Sequence, residues 1–232
     1  MKTIIKANDR GQANHGWLQS AHTFSFADYY NPERMGFSVL RVINEDFIAG
    51  GTGFGMHPHR DMEIISYVVE GALEHKDSMG TESVIRPGEV QRMSAGTGVR
   101  HSEYNPDANN RTHLLQIWLL PEKTGIKPSY EQKSYEHDLS SNDLVLVASK
   151  SGRDGSVTIN QDVNLYACKS TQAKELSFKT LQNRNIWLQN IKGVLQVDDS
   201  ILEPGDAISF EKTELIKLKS QAGSEFLIFD LP

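Results

Sequence analysis

The sequence predicts an all-β protein made of two small antiparallel β-barrels with little helix. Three observations predict it. Most of the 232 residues fall into short segments rich in strand formers, separated by Gly, Pro and Asn. Long helical periodicity is scarce. A pattern of strand, turn, Pro-Gly-acidic turn and strand occurs once in each half of the chain.

The elements follow in order. Strand-forming runs occupy residues 37–42 (FSVLRV), 62–69 (MEIISYVV), 114–120 (LLQIWLL), 144–148, 186–189 and 225–230. Turn signals stand between them at Gly50-Gly51, Met79-Gly80, Pro87-Gly88 and Pro204-Gly205. A single helical turn is expected near residues 172–176. Residues 121–142 (PEKTGIKPSYEQKSYEHDLSSN) are polar, carry two prolines and show no alternation, as a domain connection would. The expected domains are therefore 1–132 and 133–232. The repeat supports that division. GALEH at Gly71–His75 and RPGE at Arg86–Glu89 recur as GVLQV at Gly193–Val197 and EPGD at Glu203–Asp206.

Composition excludes several classes. Lys and Arg total 24 against 30 Asp and Glu, a formal net charge of −6. Such a chain is poorly suited to gripping phosphate backbones, so no direct nucleic-acid partner is expected. The single cysteine, Cys168, excludes an intrachain disulfide framework and the multi-cysteine zinc sites. The N-terminal MKTIIKANDRG lacks the apolar region of a signal peptide, and no apolar run approaches the ~18 residues of a membrane span. A soluble cytoplasmic protein with no membrane partner is expected.

The chemistry lies in two histidine groups. The first reads GTGFGMHPHRDME, from Gly51 to Glu63. The second reads SAGTGVRHSEYN, from Ser94 to Asn105. Residues i and i+2 of a strand share a face, so His57 projects with His59 and His101 with Glu103. If the two strands face each other in a barrel, three imidazoles and a carboxylate converge. Alternation from His59 also turns Glu63 inward, so parity leaves it open as an alternative ligand or a partner behind the ligands. The set suits a divalent transition metal and leaves open positions on a six-coordinate ion. Pro58, lacking an N–H, fits a strand start, a bulge or an edge.

These residues resemble the cupin superfamily, and within it the pirin family with its bacterial quercetinase-type members. The first cupin motif, G-x5-H-x-H-x3,4-E-x6-G, is matched by Gly51, His57, His59 and Glu63, with seven residues instead of six before Gly71. The second, G-x5-P-x-G-x2-H-x3-N, is matched by Gly88, Gly96, His101 and Asn105. Ser94 replaces the proline, and four residues instead of two precede His101. Both departures are similar to the pirin signature, as are MSAGTGVRHSEYN and the N-terminal HGWLQSAHTFSFADYYNPERMGF from His15 to Phe37. The resemblance implies a bicupin with metal in the first barrel only, held by His57, His59, His101 and Glu103. Glu63 is then left behind the ligands or paired elsewhere. Counting along the repeat puts Lys179 and Leu181 opposite His57 and His59, and Leu218 and Ser220 opposite His101 and Glu103. No histidine follows His137, so the second barrel has no His-based site.

The resemblance further implies a metal-dependent dioxygenase that cleaves the central ring of a flavonol such as quercetin with O2 and releases CO. Fe(II) is the expected metal, with Mn, Co, Ni, Cu or Zn as alternatives, and Glu103 is the expected base. The alternative is a non-enzymatic, metal-binding regulator acting through protein partners. Phe54, on the approach to His57, is the first choice for a substrate-pocket residue. Phe24, Phe26, Phe37 and Trp118 are expected in the core. His75 and His137 read as solvated, His15, His22 and His113 as packing residues, and Arg60 and Arg100 as pointing away from the metal. Cys168 reads as an inert small hydrophobe.

Overall fold

The computed structural model describes all 232 residues. β1 (Lys2–Ile5) is followed by β2 (Gly11–Asn14), β3 (Leu18–His22), β4 (Leu40–Ile48), β5 (Gly53–His59) and β6 (Glu63–Glu70). Next come β7 (Leu73–Asp77), β8 (Glu82–Ile85), β9 (Glu89–Ser94), β10 (Val99–Tyr104), β11 (Thr112–Leu119) and β12 (Ser129–Ser134). After one helical turn, α1 (Glu136–Leu139), the chain passes through β13 (Val145–Ser149), β14 (Val157–Thr158), β15 (Asn164–Ser170) and β16 (Lys174–Lys179). It ends with β17 (Asn185–Lys192), β18 (Leu195–Val197), β19 (Ser200–Leu202), β20 (Ala207–Phe210), β21 (Leu215–Ser220) and β22 (Ser224–Leu231). The fold is all-β, and no helix is long and apolar enough to cross a membrane.

All six strand-forming runs lie in strands, although the first is paired continuously only from Leu40 onward. Two readings need correction. The helical turn expected near residues 172–176 is instead the start of β16, whose KELSFK pairs along its length with β21. The connection at 121–142 contains β12 and α1. β12 was hidden because its polar SYEQKS is half-buried along most of its length, which erases hydrophobic alternation.

The chain forms two compact units. One comprises Gly11–Ser134 with Val157–Gln161; the other comprises Met1–Arg10, Tyr135–Ser156 and Asp162–Pro232. Where the sequence suggests one cut after residue 132, the chain passes between units after Arg10, Ser134, Ser156 and Gln161. β1 accounts for the first passage, because it pairs with β20 of the C-terminal unit.

In the N-terminal unit a large sheet, β12-β9-β6-β11-β4-β3-β2, accompanies a small one, β5-β10-β7-β8. Leu18, Ile48, Val68 and Leu114 of the large sheet pack with Leu73 and Ile85 of the small sheet. Each such side chain, fully buried, contributes ~1.5–3 kcal/mol. The C-terminal unit repeats the plan. Its large sheet runs β1-β20-β17-β22-β15-β13, and its small sheet runs β16-β21-β18-β19. The repeat extends to single turns. Gly71 and Gly193 both sit at positive φ, +79° and +70°. A Cβ there would lie 2.9 Å from Thr112 Oγ1 and 2.7 Å from Ser224 Oγ, respectively. Those hydroxyls donate to the carbonyls of Ala72 and Val194. The sequence repeat is thus a repeat of two barrels.

Candidate metal centre

β5 and β10 are antiparallel neighbours, with His57 opposite His101 and His59 opposite Val99. β5 is the edge of its sheet, which is where Pro58 can sit without a missing ladder bond. A bulge between His101 and Glu103 shifts the register, so Glu103 lies opposite Phe54. The glycine-rich run before His57 has a steric cause here. A Cβ on Gly53 would stand 2.1 Å from the Glu103 carbonyl oxygen. In β10, VRHSEY, Val99, His101 and Glu103 are buried while Arg100 and Tyr104 are exposed.

The alternation brings the predicted residues together. Ligating atoms of His57, His59 and His101 lie within 4.8 Å of one another, and His101 forms a second such group with His75 and Glu103. The His57 and His101 rings are 4.4 Å apart between centroids. His57 Nδ1 donates to the Gly55 carbonyl at 2.8 Å, which leaves Nε2 with a lone pair. Gln116 Nε2 donates to Glu103 Oε1 at 2.7 Å, and Ser66 Oγ donates to the same oxygen at 3.2 Å. Burial pushes the His59 imidazole down to about 4, and His101 and His57 push the same way. Burial likewise pushes His101 down to about 3, helped by His57 and His75. Both rings are therefore neutral donors at neutral pH.

One atom tests whether these residues suit a metal. His101 Nε2 is buried and has no hydrogen-bond partner. Burying an unpaired ring nitrogen costs about 1–3 kcal/mol. A divalent cation would remove that cost, and the imidazole–carboxylate set matches the preferences of a borderline transition metal. The residues fit.

His57 and His59 open onto a cavity of about 650 Å³. Trp17, Phe26, Phe54 and Trp118 give it aromatic walls, and His57, His59, Glu103, Gln116, Asn44 and Asp46 add polar groups. Trp17 and Phe54 meet edge-to-face at 5.0 Å, and Trp118 meets His59 the same way at 4.8 Å.

Residues 5–119 match the Pirin family model, and residues 146–231 match that of the Quercetinase C-terminal cupin domain. Quercetin 2,3-dioxygenase of Escherichia coli (strain K12) is 48% identical over 229 residues, covering 99% of this chain and 98% of that one. The chain belongs to the pirin family. A crystal structure of the bacterial pirin YhhW from Escherichia coli in complex with nickel(II) superposes with a TM-score of 0.94. It is 46% identical and covers 100% of this chain and 99% of its own. The Escherichia coli protein YhaK superposes with a TM-score of 0.75 at 26% identity, covering 96% of this chain and 98% of its own.

Other predicted residues in this pirin fall as follows. Glu63 is fully buried but belongs to neither histidine group. Its Oε2 accepts from Ser94 Oγ at 3.0 Å and from the Asn160 backbone N–H at 2.9 Å. Burial pushes its carboxyl up, and those donors pull it back. Phe54 lines the cavity, and so do Phe26 and Trp118, which the sequence suggests are core. His15 and His22 also line it. His113 is buried, paired with Glu45 at 2.8 Å and stacked on Phe47. His137, Arg60 and Arg100 are exposed, and Cys168 is buried in the C-terminal core.

His75 needs correction. It is completely buried, because Glu74 and Lys76 belong to the opposite face of β7. The signal was available: His75 and Asp77 stand at i and i+2, as His57 and His59 do. Asp46 was also missed within the polar-looking INEDF of β4. Burial pushes its carboxyl up to about 7, against a hydrogen bond from Ser20, while Glu103 and Glu45 add to the rise.

The structural register corrects the count along the repeat. Leu73 pairs with Ile85 and Leu195 with Leu202, each two residues after its turn glycine, so His75 corresponds to Val197. Glu103 lies opposite His75 and Leu218 opposite Val197, so Leu218 stands at the position of Glu103 and Ile216 at that of His101. His101 lies opposite His57 and Ile216 opposite Phe178, so Phe178 is the counterpart of His57, one position before the counted Lys179. A different spacing between the paired strands causes the shift.

Proposed function

We propose that this protein is a metal-dependent dioxygenase that opens the central ring of a flavonol such as quercetin with O2 and releases CO. The observation that carries the reading is a cluster of three imidazoles, His57, His59 and His101, from which His57 and His59 reach the wall of an aromatic cavity that Glu103 also lines. The quercetin 2,3-dioxygenase name of the 48%-identical relative supports the reaction class. The nickel(II) complex of the bacterial pirin supports a divalent metal. His57, His59, His101 and Glu103 would hold it, with Fe(II) our assignment for the resident ion and Mn, Co, Ni, Cu and Zn compatible with the donors. When bound, the metal supplies Lewis acidity toward the flavonol hydroxyl and open positions for oxygen chemistry.

The chain's own residues do the rest. Trp17, Phe54 and Trp118 present flat apolar faces that suit a planar aromatic substrate and exclude water from the reacting ring. Glu103 is the ionisable acceptor of the four. Gln116 and Ser66 hold its Oε1, which leaves Oε2 to take the proton of the substrate hydroxyl. The resulting flavonolate is electron-rich; O2 adds to it, the ring opens, and one carbon leaves as CO.

The test is quercetin-dependent CO release under O2 by Fe(II)-loaded wild type beside His57→Ala. CO from wild type and none from the variant is expected. Absence of CO from metal-replete wild type would overturn the flavonol reading and favour the regulatory alternative.

A further inference from the structure

We propose that Asp77 and His75 form a buried relay that positions His101 for metal binding by fixing which of its ring nitrogens carries the proton. The inference rests on the metal-centre reading above. It follows from who can donate to whom. Asp77 Oδ1 accepts the backbone N–H groups of Met79 at 2.8 Å and Thr81 at 3.1 Å, so the carboxylate is fixed in orientation. Its other oxygen, Oδ2, lies 3.1 Å from His75 Nε2. A carboxylate only accepts, so His75 Nε2 carries a proton. In the neutral ring His75 Nδ1 then holds a lone pair. That nitrogen lies 3.4 Å from His101 Nδ1, which must be the donor. His101 Nε2 is left with its lone pair, buried and unpartnered, on a ring that clusters with His57 and His59. Two successive hydrogen bonds thus select the only tautomer of His101 that can ligate through Nε2.

Two further observations support it. The His75 and Asp77 side chains are completely buried, and Tyr130 covers the His75 ring at 4.9 Å with its hydroxyl tied to Ser83 and Gln132. The relay is thus shielded from water that could substitute for it. The C-terminal barrel offers an internal comparison. The position of His75 holds Val197 there, that of Glu103 holds Leu218 and that of His101 holds Ile216. Relay and ligands are absent together.

Asp77→Asn is the discriminating variant, because it keeps size and shape. Its amide oxygen must stay on the Met79 and Thr81 N–H groups, so its NH2 turns to His75. Both imidazole tautomers then reverse, and His101 Nε2 gains a hydrogen. The readouts are the tautomer of 15N-labelled histidines by NMR in apo protein and Ni(II) affinity by titration. Wild type should show His101 protonated on Nδ1. Asp77→Asn should show it on Nε2, with Ni(II) affinity lower by 10–100-fold and an unchanged fold by circular dichroism. His75→Leu, which removes both ring nitrogens of the relay, should lose affinity to the same extent. An unchanged tautomer, or affinities within twofold of wild type, would overturn the relay. If Asp77→Asn fails to fold, the wild-type tautomer and His75→Leu still decide. His57→Ala separates the two readings: Ni(II) binding unaffected by that variant would contradict the metal centre itself.

Discussion

The two barrels of this pirin share strand order, turn glycines and even the hydroxyls beside those glycines, yet one carries chemistry and the other does not. In β10 the inward positions are Val99, His101 and Glu103; in β21 they are Ile216, Leu218 and Ser220. β5 offers His57 opposite His101 where β16 offers Phe178 opposite Ile216. The C-terminal interior is closed by Phe178, Leu188, Phe226 and their neighbours. The N-terminal interior holds the cavity. The difference teaches that the scaffold is set by alternation and turns, whereas the site is set by which residues occupy a few inward positions of two paired strands. Polar inward positions cost stability and are kept where a ligand can satisfy them.

The contrast can be broken first in the filled barrel. Phe226→Ala should destabilise the protein by about 3–5 kcal/mol, measured by denaturant unfolding, because its fully buried ring leaves a cavity. Next is the exchange of chemistry for packing. His101→Leu, which puts an apolar side chain like those of the second barrel in place of a ligand, should abolish high-affinity Ni(II) binding, a loss of at least ~100-fold by titration. The same change removes one unpartnered buried nitrogen but leaves His75 Nδ1 without its partner, so the two effects offset and apo stability should stay within about 1 kcal/mol of wild type.

A third prediction concerns pH. In the folded state burial raises the Asp46 carboxyl to about 7, from an ordinary 3.8. The folded protein therefore keeps this proton where the unfolded chain releases it. Asp46 then makes stability fall as pH rises from about 4 to about 7, with no further loss above. Glu45 and Glu103 add to this effect and the Ser20 hydroxyl opposes it; His22, hydrogen-bonded to Asn44, is the nearby cavity imidazole. Asp46→Asn should remove it, gaining on the order of 2 kcal/mol over wild type at pH 7.5 and little at pH 4, by apo-protein unfolding at both values. The smallest effect is expected at the cavity wall. Phe54→Ala should raise KM for quercetin by roughly tenfold, about one lost aromatic contact, while Ni(II) affinity stays within twofold.

Much of this was legible because strand periodicity acts on local sequence. His57, His59, His101 and Glu103 could be grouped by i, i+2 spacing, and the Pro-Gly turns exposed the repeat. What escaped depended on distant pairing. β12 was invisible because its partner β9 supplies what its own polar residues lack. β1 joins a strand some 200 residues away in sequence. His75 looked solvated because its charged neighbours dominate a linear reading, although they occupy the other face. Counting along the repeat misses the counterparts of His57 and His101 by one residue on β16 and two on β21, because loop lengths differ between the repeats. Of the aromatic cavity only Phe54 could be read, since Phe26 and Trp118 look like core residues until the space between the sheets is known.

The measurement that tests the central claim most directly is anomalous diffraction at the nickel edge from crystals of the Ni(II)-loaded protein. One peak per chain is predicted, bounded by His57, His59, His101 and Glu103, with none in the C-terminal barrel. No peak among those four side chains in Ni(II)-replete protein, or a peak within the barrel that holds Leu176 and Leu218, would contradict the account.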